Sequence, residues 1–316
     1  MNIPDIIESF GFPVTLAFSA KGRAFFSERI TGNIWEIKGD KMDLVYKFPI
    51  VNISGHHETG LIGIAVDPDF DISGYIYAFY TYGRDEYSMK NKVVRFLVGS
   101  GKEETILDNI PAGRIHNGGI IAFAPDKTLY IGVGIGNEVM DRSQDIDYLG
   151  GKVLRINNDG SIPKDNPYKE SPVYSYGHRN IFGLAFHPKN GKLFISEDGP
   201  EKNDEINIIQ PDGNYGWPEV TGKVGSPKFV DPIITYTPTI TPTQCCFDEK
   251  YFYFGSYNDG AVHRLTLGGK DYNKVEKDET VYRGKSFGVI GVFHSPDHQF
   301  YVTTPNRISN FSPEVS

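Results

Sequence analysis

Cysteine is nearly missing from this chain: its 316 residues contain two, Cys245 and Cys246, and they are neighbours. A disulfide between adjacent residues is geometrically strained, so no disulfide framework is expected. Zinc sites built on spaced Cys and His pairs have no counterpart either. No run of Lys and Arg occurs, and 40 acidic against 32 basic side chains leave a formal net charge of -8. A surface that tracks phosphates is not expected, which excludes nucleic acid as a partner. Long apolar runs are also absent. The opening stretch MNIPDIIESFGFPVTLAF carries Asp5 and Glu8, so neither a signal peptide nor a membrane span is read there. The chain as given reads as cytoplasmic, or as extracellular or periplasmic if a leader was removed.

What is abundant points to short strands. The 35 Gly, 20 Pro, 19 Tyr and 21 Phe suit many strands joined by tight turns. Six copies of one unit are visible. Their first strands end at Phe18, Val66, Phe123, Phe186, Phe247 and His294, at intervals of roughly 47 to 63 residues. Turns such as AVDPDF, FAPDKT and FHPKNG follow. Second strands then read RAFFSE, YIYAFY, TLYIGVG, KLFISE, YFYFGS and QFYVTT, and third strands NIWEIK, KVVRFLV, KVLRIN, EINIIQ, AVHRLTL and RISNF. This predicts an all-β fold, a six-bladed β-propeller of four-stranded antiparallel blades, forming a single domain over residues 1–316. Cys245 and Cys246 stand where other first strands carry small apolar residues, so they are expected to pack as small hydrophobes.

In such an architecture the first strand of each blade lines the channel, and the loops leading into it share a face with those joining second to third strands. Glu58, His116 and Arg179 fall in equivalent loops, within SGHHETG, RIHNGG and YGHRN. GIGNE, EDGPEKNDE and SYNDG supply second loops around Ile135, Gly199 and Asn258. The result is a concave polar cluster, the default site. His116, followed by Asn and two Gly, reads as a ring aimed at the channel. Arg179 is either a loop-holding ion pair or a ligand anchor, and Glu58 either a site residue or a partner of Arg179 or His57. His178 and His187 read as packing residues. The segment EDGPEKNDEINIIQPDGNYGW offers the oxygens that calcium needs, though not as an EF-hand, or is a solvated acidic loop. GVGIGN lacks the helix and acid of a dinucleotide fingerprint, and no GxSxG elbow occurs.

The motifs ETGLIGIAVDPDF, HNGGIIAFAPDKTLYIGVG, LGGKVLRINNDGSIPKDNPY, YGHRNIFGLAFHP and EDGPEKNDEINIIQPDGNYGWP cover much of the chain. Through them it resembles the soluble quinoprotein glucose/sorbosone dehydrogenases. That family oxidises the anomeric carbon of an aldose to a lactone with pyrroloquinoline quinone (PQQ) and calcium. The resemblance implies a small-molecule sugar substrate and no membrane partner. It makes His116 the general base, sets Glu58 near the cofactor, and gives Arg179 and Asn180 contacts with the quinone oxygens. Gly199 and Pro200 would offer carbonyls to a calcium that bridges to PQQ, and the Glu205 carboxylate and Tyr215 carbonyl would hold a second, structural calcium. The chain departs from the pattern at four places. Ile135 replaces the acid that orients the histidine, Asn258 replaces a lysine, and Gly288 and Ile290 replace two arginines. Asn137, Glu138 and Lys285 are the nearby substitutes. The leading expectation is a PQQ-dependent aldose dehydrogenase. The alternative is a calcium-binding propeller without PQQ that hydrolyses a sugar lactone or only binds a sugar or partner.

Overall fold

A computed structural model describes residues 3–51, 58–136, 140–284 and 288–313. Strands dominate it. Helix is limited to the single turn Phe70–Ser73 and the 3-10 turn Met140–Gln144, and no helix among the described residues is long and apolar enough to cross a membrane. The innermost strands are Pro13–Phe18, Leu61–Val66, Gly118–Phe123, Ile181–Phe186, Pro242–Phe247 and Gly291–His294. Each touches the next, and the last returns to the first, so the chain closes into a propeller. Second strands such as Leu129–Val133, Leu193–Glu197 and Phe252–Ser256 are buried at every position, because a sheet on either side covers both faces. Burial therefore runs continuously there, without alternation, and apolar residues lead each strand while the polar Ser196, Glu197 and Ser256 sit buried at the ends of two of them.

The expectation of six separate four-stranded blades is corrected. Among the described residues there are four four-stranded sheets and one eight-stranded sheet. The larger sheet forms because Pro242–Phe247 pairs in parallel with Gly291–His294 through Gln244 and Gly291. Gly291 makes this approach possible: a Cβ there would lie 2.7 Å from the Phe293 ring and 3.0 Å from the Gln244 Cβ. At its outer end the same sheet takes in Ile6–Glu8, which pairs antiparallel with Arg307–Phe311, Ile7 opposite Ile308. Ile7 then packs with Leu16, Phe26, Phe293 and Tyr301, so the two ends of the chain share one core. Two side-chain bonds reach Val14 O across the seam, from Thr303 Oγ1 at 3.1 Å and Gln244 Nε2 at 3.4 Å.

Five innermost strands share an irregularity at the same end. The register slips between Pro13 and Leu16, Leu61 and Gly63, Gly118 and Ile120, Ile181 and Gly183, and Pro242 and Cys245. A bulge bends a strand and re-aims the extra side chain. Val14, Ile62, Phe182, Thr243 and Gln244, all within the slips, line the cavity at the mouth of the channel. Cys245 is buried with Phe194, Phe252 and Phe254, and burial holds its thiol well above the ordinary range, consistent with a packing role.

Away from the mouth, His263 bridges two carboxylates, Nδ1 to Asp278 at 3.0 Å and Nε2 to Asp259 at 3.2 Å, with its ring stacked on Phe254 at 4.9 Å. Burial lowers its pKa, but the two acids outweigh burial and raise it from 6.5 to about 9. A histidine raised on folding contributes stability that is full below its unfolded pKa and is lost as pH rises through the folded value. The urea midpoint should therefore fall between about pH 7 and about pH 10. In His263→Gln the slope over that window should flatten, whereas an unchanged slope would assign the pH dependence elsewhere.

Candidate functional site

Glu58 organises the mouth. Its Oε2 accepts from the His116 N–H at 2.7 Å and from Asn180 Nδ2 at 3.3 Å. Its backbone bonds Arg114 O through N–H, and its carbonyl accepts from Asn117 Nδ2. Burial raises its pKa despite these donors and despite Arg29 nearby. His116 is in the left-handed region, at φ 59, which the bond from its N–H to Glu58 holds in place. The residues after it explain themselves by space. Asn117 is fully buried and bonds both the N–H and the C=O of Gly113. A Cβ at Gly119, where φ is +98, would lie 2.8 Å from Ile62 and Phe79.

Burial, with the Arg179 charge second, pushes the His116 imidazole down to about 4. The ring is thus neutral at physiological pH, and no hydrogen bond engages its nitrogens among the described residues. The Ile135 side chain that stands at the expected acid position is 2% exposed. Ile135 donates its N–H to Arg179 O at 2.9 Å, and its carbonyl accepts from Tyr148 Oη at 3.1 Å. The loop carrying Tyr148 is held by Lys152, a fully buried lysine whose Nζ donates to Ser143 O and Gly150 O at 2.8 Å and to Arg142 O at 3.3 Å.

Arg179 does not pair with Glu58. Its Nη1 reaches Asp198 Oδ2 at 2.7 Å and Asp198 O at 3.0 Å, and its guanidinium sits 5.6 Å from the Trp217 ring. Burial raises the Asp198 pKa to about 6 against the pull of Arg179. His57, the other suggested partner of Glu58, lies outside the described residues, as do Asn137, Glu138 and Lys285. His178 is a packing residue: its Nδ1 meets Glu197 at 2.8 Å, its Nε2 meets Ser175 at 2.9 Å, and its ring stacks on Tyr215 at 4.5 Å.

Two cavities meet at Asp198. The larger, about 440 Å³, has an apolar collar of Val14, Ile62, Ile120, Phe182 and Ile290 and a rim that includes Phe12, Arg29, Glu58, Asp198 and Tyr257. His116 lies in the chain between Ile115 and Gly118, both of which line this space, while fully buried Asn180 braces Glu58. The smaller, about 10 Å³, has room for one ion or water and is bordered by Arg179, Glu197, Gly199, Pro200, Glu205 and Tyr215 among others. The four residues assigned by resemblance to two calcium ions thus border one space. Asp204 sets its edge, accepting from the Gly199 N–H at 2.8 Å and from the Ile240 and Thr241 N–H groups at 2.6 and 2.7 Å.

The sequence reading passed over Arg29. It follows the second strand Ala24–Glu28, in the loop position that GIGNE, EDGPEKNDE and SYNDG occupy in later units, so the repeat itself carried the signal. Arg29 sits over the Phe12 ring at 4.3 Å and donates to Thr59 O at 3.2 Å. Burial lowers its pKa, and Glu58 and Tyr257 oppose that shift. The other departures are filled positions. The Asn258 amide donates to Thr239 O at 3.2 Å, Ile290 joins the collar, and a Cβ on Gly288 would lie 2.4 Å from the Tyr257 ring.

Residues 10–311 match the sequence model of the family described as Glucose / Sorbosone dehydrogenase. Quinoprotein glucose dehydrogenase B of Acinetobacter calcoaceticus is 32% identical over 250 residues, 69% of this chain and 52% of that protein, so the match spans about half the length of this relative. Aldose sugar dehydrogenase YliI of Escherichia coli is 28% identical over 81% of this chain and 76% of its own. The structure of the PQQ-bound form of aldose sugar dehydrogenase from Streptomyces coelicolor superposes with a TM-score of 0.88 at 32% identity, covering 98% of this chain and 96% of that one.

Gly134 tests how tightly the mouth is built. A Cβ there would lie 2.1 Å from His116 O and 2.7 Å from Asn180 Oδ1. Gly134→Ala should therefore lower the stability measured by urea unfolding by about 1 to 3 kcal/mol, as overpacking does. A stability equal to the parent's would mean that the His116 loop yields easily.

Proposed function

Because the chain belongs to the Glucose / Sorbosone dehydrogenase family, we propose that it is a sugar dehydrogenase-like oxidoreductase that oxidises an aldose to its lactone at the cavity of about 440 Å³. The observation that carries this reading is His116, a neutral imidazole whose backbone is fixed by Glu58 beside that cavity. The anomeric hydroxyl gives its proton to a His116 ring nitrogen while hydride leaves the anomeric carbon for a two-electron acceptor, and the carbon–oxygen bond becomes the lactone carbonyl. Glu58 and Asn180 keep the His116 loop in place. Arg179 disfavours the imidazolium, and Ile135 brings no carboxylate to stabilise it, so the proton passes on to solvent. The lost cations favour a second reading, in which the same imidazole activates water against a sugar lactone.

PQQ meets a divided site. The apolar collar suits a flat ring, but the positions that would face the cofactor's carboxylates hold Asn258, Gly288 and Ile290. The described residues do not fit a tricarboxylate, and no step is assigned to it. Calcium fits better. The buried Glu205 carboxylate, raised in pKa by burial and then by Glu197, stands beside Asn207, whose buried Oδ1 has no partner among the described residues. Among the described residues no three carboxylate, imidazole or thiol side chains converge as a metal site, so the carbonyls of Gly199, Pro200 and Tyr215 would complete an oxygen set of the kind calcium accepts. Its charge would relieve two buried acids.

Aldose-dependent dye reduction by the purified protein, with lactone hydrolysis measured in parallel, tests the activity. His116→Ala should lower turnover by about a hundredfold or more with the fold intact. A variant that retains the activity would remove His116 from the mechanism. Chelation should lower the melting temperature and added calcium restore it, by about 2.7 kcal/mol when free calcium is a hundred times its dissociation constant. Glu205→Gln should shrink that shift. Identical melting curves in chelator and in millimolar calcium would dismiss the ion.

A further inference from the structure

We propose that Lys152 is a positioning residue for His116: its ammonium fills the loop 134–151 from within and so holds the wall on which the histidine's backbone is seated. The inference rests on the reading that makes His116 the proton acceptor.

Lys152 opens the third strand of its blade and pairs with Val133, the last residue of the second, so these two residues close the base of the loop between them. Residues 134–136 and 140–151 of that loop are described. The fully buried side chain returns into its own loop, where Nζ donates to the Ser143 and Gly150 carbonyls at 2.8 Å and to the Arg142 carbonyl at 3.3 Å. An ammonium has three N–H groups and no acceptor, so these bonds use it completely. Among the described residues no carboxylate reaches it within ion-pair distance; burial pushes its pKa down to about 7 against the pull of Asp145. The charge is costly to keep there. What it supplies is three satisfied carbonyls in a stretch whose regular structure, among the described residues, is the 3-10 turn Met140–Gln144.

Backbone bonds run from that loop to both neighbouring loops of the site. Beyond Gly150, the Gly151 N–H bonds Gly134 O at 3.0 Å, and Gly134 and Gly136 donate in turn to Asn117 O at 3.2 Å and His116 O at 2.8 Å. On the other side Ser143 O, which takes the ammonium, also accepts from the Gly177 N–H at 3.0 Å, and Gly151 O accepts from the His178 N–H at 3.2 Å. Tyr148 Oη ties the middle of the loop to Ile135 O, and the Ile135 N–H bonds Arg179 O. One buried cation therefore braces the segment that separates His116 from Arg179 and Asn180.

None of the described residues of this loop lines the larger cavity. Loosening it should displace the imidazole without altering the wall that a sugar touches, which separates turnover from substrate binding.

The test uses the calcium-supplemented protein at about pH 6, where the ammonium is charged. Lys152→Met fills the volume without the charge. Whichever turnover the parent shows, aldose-dependent dye reduction or lactone hydrolysis, should fall in this variant by about ten- to a hundredfold. KM for the sugar should change by less than about twofold. Tyr148→Phe, which removes the hydroxyl bonded to Ile135 O, should lower turnover by a smaller factor. In Lys152→Ala, propylammonium should restore part of the turnover and propanol, of similar size and uncharged, should not. A readout independent of activity is the NMR spectrum of carbon-labelled histidine. The His116 ring signal, assigned by its loss in His116→Ala, should shift or broaden in Lys152→Met, while that of His263 on another blade stays in place. Parental turnover with an unmoved His116 signal overturns the proposal. A rise in KM that matches the fall in turnover, or rescue by propanol equal to that by propylammonium, overturns it too and makes Lys152 a packing residue. If neither Lys152 variant folds, Tyr148→Phe decides, and a parental turnover and His116 signal there sink the idea. If the parent turns over neither substrate, the enzymatic readings fail by themselves and the His116 signal alone decides the role of Lys152.

Discussion

The Glu58 carboxylate accepts from the His116 N–H and the Asn180 amide, so a residue ahead of one innermost strand fixes residues ahead of the next two. The other features of the mouth follow from that tie. It holds His116 in the left-handed region, turns the following Asn117 inward to bond both ends of Gly113, and requires glycine at 118 and 134, where backbone meets backbone, and at 119, where the Ile62 and Phe79 side chains close in. Asn180, braced by Glu58, also accepts from the Gly118 N–H, which closes the loop of contacts. A buried carboxylate whose pKa is raised is tolerated because these donors are aimed at it before any ligand arrives.

Much of this was legible in the sequence, and the reason is repetition. The first, second and third strands of each unit could be read because their burial forces aromatic and β-branched residues into register with the turns. The outer strands were not read. Lys41–Lys47 and Ile234–Tyr236 are short or largely exposed, and KMDLVYK has no pattern that packing must enforce. Ile6–Glu8 escaped for a different reason: its partner, Arg307–Phe311, lies at the far end of the chain, and three residues carry little periodicity. The merging of two strand groups depends on one glycine meeting one glutamine backbone, a contact that composition does not reveal.

At the site, the types of residue were readable and their pairings were not. Glu58, His116, Arg179 and Asn180 come together around the mouth, yet Arg179 pairs with Asp198 and Glu58 faces Arg29. Which acid meets which base depends on how far each loop leans over the channel. Ile135 shows the complementary case. Its backbone still serves Arg179 and Tyr148 while its side chain joins the core, so the loop keeps its shape without the acid. A neutral imidazole is the state such a neighbourhood favours.

The Lys152 ammonium, seated among the carbonyls of Arg142, Ser143 and Gly150, resembles a cation site whose occupant is covalently attached. Glu205 and its neighbours border a space whose charge would have to be supplied from solution. With the proposed calcium, the two flanks of the mouth would answer to different controls. One flank is held by the chain's own lysine; if the proposed calcium occupies the other, surroundings poor in divalent cations would soften that side of the opening and leave the histidine loop in place.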